Sequence, residues 1–265
     1  MSRTLFNRIV QEVTNHSSFF RDNIDCTGRE GISPLMKCTS ALRQLAYGII
    51  PDFLDGYLQI SPKSSRLSLD HFCTSVMEIF RPEYLRKPTM TDVVKLYRHH
   101  EEKNGFRGIA PKIPFVVNGV TYPWGYYLVD GIYPELVTLV KTIPEPSDDY
   151  HKRIRYKQMQ EAARKDVERA FGVLKKKWVI LANLARSLKK KRIMNMMYTC
   201  IILHNMIRKD KGKAISPNWY PEEAHQPDDL ERSDEQVRAV MRHIRSAQAH
   251  QNLRVDLVEH LSRNA

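Results

Sequence analysis

The chain has 265 residues, of which 42% are hydrophobic, and its 42 Lys and Arg against 30 Asp and Glu give a net charge of +12. Length and apolar share fit one or two soluble domains with a real core. The longest apolar run, 194–207, is broken by Asn195, His204 and Asn205, which excludes a membrane span, and the first residues lack the apolar stretch of a secretory signal. The four scattered cysteines (Cys26, Cys38, Cys73, Cys200) include no C-x-x-C, so reduced thiols are expected rather than disulfides or a zinc site.

Leu5, Phe6, Ile9, Val10 and Val13 recur at helical spacing and predict a helix over 4–14. Residues 24–28 read as a turn-rich linker. Ser33-Pro34 opens a second helix that buries Leu35, Cys38, Leu42, Leu45 and Ala46 and ends near Gly48. A short helix follows over 51–58. Ser61-Pro62 opens another, with Leu69, Phe72, Cys73, Val76 and Ile79 inward. Long helix, short helix, turn and helix is the layout of a helix-turn-helix, whose last helix would offer Lys63, Ser65 and Arg66 to DNA; a plain helical bundle fits the same pattern.

A helix is predicted over 91–103, closed by Asn104-Gly105. Residues 114–119 read as a short strand and turn, and 126–129 as a buried strand. Asp130 ends that strand, where α/β sheets place ligand groups, although Asp130-Gly131 is equally a turn sequence.

The segment 158–178 carries Ala163, Val167, Ala170, Phe171, Leu174 and Trp178 along one helical stripe. Glu168 falls at the rim of this stripe, with Arg164 nearer its centre and Asp166 on the opposite edge. A carboxylate there can ligate a hard metal ion that also touches phosphate, or form an i,i+4 ion pair with Arg164 on a solvated flank. The residues leave both readings open.

Charge is concentrated here. Residues 152–192 hold 15 Lys and Arg and three acids, a surplus equal to the whole chain's net charge. The clusters are Lys152, Arg153 and Arg155; Lys175, Lys176 and Lys177; and Lys189, Lys190, Lys191 and Arg192. A localised basic surface points to phosphate backbones as partners, because counterion release drives such binding; a nuclear-localisation tract or a solvated face is the bland alternative. Further helices are predicted over 187–208 and 234–260, separated by a loop-like stretch over 209–227. His204 and Asn205 are expected as hydrogen-bonding groups rather than catalysts.

Several segments together resemble the PIF/Harbinger group of plant transposase-derived proteins, a family of DDE nucleases. They are Met1-Ser-Arg-Thr-Leu-Phe, Ile32-Ser-Pro-Leu-Met-Lys-Cys-Thr-Ser-Ala-Leu-Arg-Gln-Leu-Ala-Tyr-Gly, Phe115-Val-Val-Asn-Gly, Gly125-Tyr-Tyr-Leu-Val-Asp-Gly-Ile-Tyr-Pro, Ala163-Arg-Lys-Asp-Val-Glu-Arg-Ala-Phe-Gly-Val-Leu-Lys and Met197-Tyr-Thr-Cys-Ile-Ile-Leu-His-Asn-Met. The resemblance implies an α-rich α+β protein: an N-terminal helix-turn-helix bundle over 1–105, an RNase H-like domain over 106–215 and a C-terminal helical tail over 216–265. It implies two Asp and one Glu holding two divalent ions, Mg²⁺ or Mn²⁺, that cut DNA. Glu168 matches the family glutamate. Asp130 matches a family aspartate near the site, though not one of the first two metal ligands. A nuclear location, with cytoplasm as the alternative, and a Myb-like DNA-binding partner are also implied, and no membrane.

The departure from the family is as specific as the match. Asn104-Gly105-Phe106 runs straight into Arg107-Gly108-Ile109-Ala110-Pro111, without the central block that carries the family's first two aspartates. Ile24-Asp25-Cys26-Thr27 imitates the first of those motifs, but Gly28 stands where His belongs, and it reads as a linker. The expected fold is therefore a truncated RNase H-like domain with a small remnant sheet, and the expected Glu168 site is vestigial, without bound metal. Three functions stay open: a protein that binds DNA without cutting it, an active metal-dependent DNA endonuclease, and a decayed or mis-spliced product.

Overall fold

In the computed structural model, residues 1–21, 24, 28–106, 114–144, 151–182, 189–216 and 233–263 are described. The expected linker at 25–27, the junction at 107–111, the helix start at 187–188 and the loop from 217 to 227 lie outside them.

Short polar caps start the N-terminal helices. In α1 (Arg3–His16) the Ser2 hydroxyl accepts from the Leu5 N–H. In α2 (Pro34–Tyr47) Ser33 accepts from Met36, and Gly48, at φ 63°, ends the helix. After α3 (Asp52–Leu58) comes α4 (Pro62–Tyr84), capped by Ser61. Helix α5 (Met90–Asn104) opens on a reciprocal Thr89–Asp92 capping box and closes at Gly105.

Strands β1 (Phe115–Val117) and β2 (Val120–Tyr122) form an antiparallel hairpin. Its two-residue turn, Asn118-Gly119, has positive φ at both positions, 54° and 81°, which Asn and Gly tolerate best. Strand β3 (Tyr127–Val129) pairs in parallel with β4 (Leu139–Lys141). There follow α6 (His151–Lys177), a 3-10 turn over Val179–Ala182, α7 (Lys190–Asp210), α8 (Asp234–Ile244) and α9 (Ala247–Arg263). The chain is thus α-rich with a small amount of sheet, as the periodicities predict.

Three expectations are corrected. The strand at 127–129 is not buried: Tyr127 is exposed and its neighbours are half-buried, while Tyr126, just before it, is fully buried. A lone two-stranded pair leaves one side of each residue open. Helix α6 begins at His151, seven residues before the segment 158–178 that carries its apolar stripe. That stripe is buried only at its ends: Ala163, Leu174 and Trp178 are buried, whereas Val167 and Phe171 are 62% and 58% exposed and belong to neither core cluster.

Two compact units form, each from two stretches of chain. One comprises Met1–Lys87 and Ala170–Trp219, the other Pro88–Arg169 and Tyr220–Ala265. The first is an all-helical core in which Leu5, Ile9 and Val13 of α1, Leu45 of α2, Phe72 and Val76 of α4, Trp178, and Cys200 and Leu203 of α7 are buried together. The second gathers Phe115, Tyr126, Val140, Tyr156 and Ala163 with Leu253, Leu257 and Leu261 of α9. Three thiols, Cys38, Cys73 and Cys200, are buried and free, and burial pushes the first two up to about 12, so they are unreactive in the folded protein.

A buried polar cluster joins α2 and α4. Ser40 and Ser65, both fully buried, share a 2.7 Å hydrogen bond, and Gln44 donates to the Ser65 carbonyl at 2.9 Å and to its hydroxyl at 3.1 Å. Small side chains let the helices approach, and Gln44 satisfies what they bury. Gln44→Ala leaves these acceptors without a donor and should cost about 1–3 kcal/mol, measured as a lower urea midpoint.

Candidate functional site

Helix α6 carries a polar ladder at four-residue spacing: Tyr156, Gln160, Arg164 and Glu168. A spacing of four keeps them on one face. Tyr156 and Gln160 are fully buried. Tyr156 donates to the Lys141 carbonyl at 3.0 Å. Gln160 donates to the Val129 carbonyl at 3.0 Å and the Val140 carbonyl at 3.4 Å. These bonds tie α6 to the ends of β3 and β4, and Asp130 is the next residue after Val129.

One turn further on, Nη1 of Arg164 lies 3.0 Å from Oδ1 of Asp130 and 2.7 Å from Oε1 of Glu168. The two carboxylates singled out in the sequence therefore meet on one guanidinium. Both are open to solvent, with side-chain exposures of 47% and 62% against 21% for Arg164. The i,i+4 ion pair legible in the sequence forms; its third member, 34 residues upstream, was not legible. Gln160, which sets the register, was also missed, although a Gln four residues before Arg164 on the same stripe is the signal that points to it.

This donor set does not fit a pair of divalent ions. Two such ions need several carboxylates around them, whereas here two carboxylates share a fixed cation. Among the described residues no group of three His, Cys, Asp or Glu side chains is placed to hold a metal. Asp166, on the other flank of α6, is occupied too: Lys103 reaches it at 2.5 Å and Arg169 at 3.1 Å. The hydrogen bond from Lys103 is the main reason that its carboxyl is held below the usual range.

The basic residues divide into answered and open charges. In the unit containing α5 and α9, Lys152 pairs with Glu259 at 2.8 Å, Arg153 is exposed, and the Nε of half-buried Arg155 is buried. In the other unit Arg192 pairs with Asp70 at 2.6 Å and Arg66 lies 3.7 Å from Asp52, while Lys63 is exposed. Ser65 is buried in the α2–α4 crossing and cannot face a ligand there, because its hydroxyl is committed to Ser40 and Gln44. Lys175, Lys176, Lys189, Lys190 and Lys191 are exposed and form no ion pair among the described residues.

Two cations outside the predicted clusters join this all-helical unit's charge. Lys177 is lowered from its usual value by burial first and then by Lys211 and Arg208. His204 is lowered by burial, Lys177 and Arg208. Its Nδ1 is buried without a partner, whereas Asn205 donates to the Tyr84 carbonyl at 2.9 Å. Burial and the neighbouring cations thus disfavour the charged form of His204, while Asn205 is engaged with Tyr84. His100 is likewise lowered, by burial first.

Among the described residues no helix is long and apolar enough to cross a membrane. In comparison with known families, the family model described as "plant transposon protein" matches residues 53–215, more than half of the chain. No curated protein and no solved structure matches.

The shifted groups fix the sign of the acid response. His100 and His204 have lowered folded values, so the unfolded chain takes up protons first as pH falls below 6.5, and stability drops there. Asp166 has a depressed folded value, so its contribution is present above 3.8 and is lost as pH falls through its lower folded value. Urea unfolding across pH should show two separate losses, with His204→Asn shrinking the upper one and Asp166→Asn the lower.

Proposed function

The chain belongs to the family of plant transposon proteins, and on that premise we propose that it is a Harbinger-type, transposase-derived protein that binds DNA and does not cut it. In this reading α2, α3 and α4 are its helix-turn-helix, with Lys63 and Arg66 at the open end of α4. The small strands and α6 are the remnant of an RNase H-like DDE domain whose first two aspartates are gone with the central block. The protein works in the nucleus, where a Myb-like partner supplies site choice.

The observation that carries the reading is the crowding of cations in the all-helical unit. Lys177 is lowered by burial first and then by the nearby Lys211 and Arg208, and exposed Lys175 and Lys176 precede it without carboxylate partners among the described residues. Like charges held together oppose folding, and a polyanion offsets them. Lys189, Lys190 and Lys191 add three exposed charges at the start of α7.

The test is a titration of duplex DNA at several NaCl concentrations. Log affinity should fall linearly with log salt. Replacing Lys189, Lys190 and Lys191 together by Ala should weaken binding to all sequences alike and reduce the slope by as much as about 3. Lys152→Ala should change little, because Glu259 already answers that charge. No affinity, or affinity indifferent to salt, would sink the proposal.

A further inference from the structure

We infer that Arg164 is the resident cation of the Asp130–Glu168 pair: the guanidinium fills, permanently and from within the chain, the place that a divalent ion would take between the two carboxylates. The inference stands apart from DNA binding, since it concerns one face of α6 and the residue that follows β3.

Three observations lead to it. First, both carboxylates address the same nitrogen, Nη1, at 3.0 and 2.7 Å. Their oxygens therefore lie within about 6 Å of each other, where two like charges in partial solvent repel appreciably unless a cation intervenes. Second, Arg164 does not reach Asp130 by chance of a mobile side chain. Gln160, fully buried, holds α6 to the Val129 carbonyl one turn earlier, so that Arg164 emerges beside Asp130. Third, the guanidinium is the least exposed of the three groups, at 21% against 47% and 62%. A hard divalent ion would need this position and these oxygens. Arg164 is thus a positioning residue: it fixes the loop after β3 on α6 by charge, and it keeps the pair from acting as a metal site.

The experiment uses Mn²⁺ as the probe and the full chain, with bound ion read by electron spin resonance. Wild type and Arg164→Lys should show no Mn²⁺ binding that depends on Glu168. Arg164→Gln removes the charge and keeps a polar side chain; it should bind Mn²⁺ at least about tenfold more tightly than wild type, and the double variant Arg164→Gln, Glu168→Gln should lose that gain. A folded Arg164→Gln protein with no gain overturns the inference, because the guanidinium would then be standing in for nothing. Wild-type binding that weakens in Glu168→Gln overturns it as well, and this comparison decides the matter even where Arg164→Gln does not fold. A loss of stability in Arg164→Gln without a gain in Mn²⁺ affinity would mark an ordinary structural ion pair and counts against the proposal.

Discussion

Carbonyls of β3 and β4, at Val129, Val140 and Lys141, accept from side chains of α6. A parallel pair of three-residue strands satisfies few of its own backbone groups, so the side chains of Tyr156 and Gln160 do the rest. From that docking the remaining geometry of the face follows. The next rung, Arg164, meets Asp130, and the one after it, Glu168, reaches back to the same nitrogen. In the all-helical unit, Leu174 and Trp178 are buried. Along the α6 stripe Ala163 and Leu174 are buried, whereas Val167 and Phe171 are exposed.

Helix boundaries were legible wherever local chemistry decides them. Ser33-Pro34, Ser61-Pro62 and Asn104-Gly105 each mark an end within a residue or two, because capping is a contact between neighbours in sequence. What depends on distant chain was not legible. Strands β2 and β4 have three residues each, too few to show alternation. Ser65 looked like a solvent-facing residue in a polar first turn, yet its small hydroxyl is what lets α4 approach α2. Helical spacing gave the direction of the α6 stripe but could not say whether anything covers its middle.

The site shows the same division. Arg164 and Glu168 are four residues apart, so their pairing was readable; Asp130 reaches them only through the strand docking. The basic run was readable as a total and misleading in detail. Lys152 and Arg192 are answered by Glu259 and Asp70, acids that lie far away in sequence. Arg208 and Lys211, outside the run, add to the effect of burial in lowering Lys177. Net charge along a sequence marks an electropositive chain, whereas the surface that meets a polyanion is set by which cations the fold leaves unpaired.

On the proposed function, this arrangement would separate holding DNA from cutting it. Exposed lysines gather in the all-helical unit, and Asp130 and Glu168 both pair with Arg164. The most direct measurement is a single reaction in which supercoiled and linear duplex DNA are incubated with the protein in Mg²⁺ and in Mn²⁺, with retardation and strand breaks read from the same samples. The account predicts DNA that is retarded and intact with either ion. Nicking that disappears in Glu168→Ala, or DNA that is neither retarded nor cut, would contradict it.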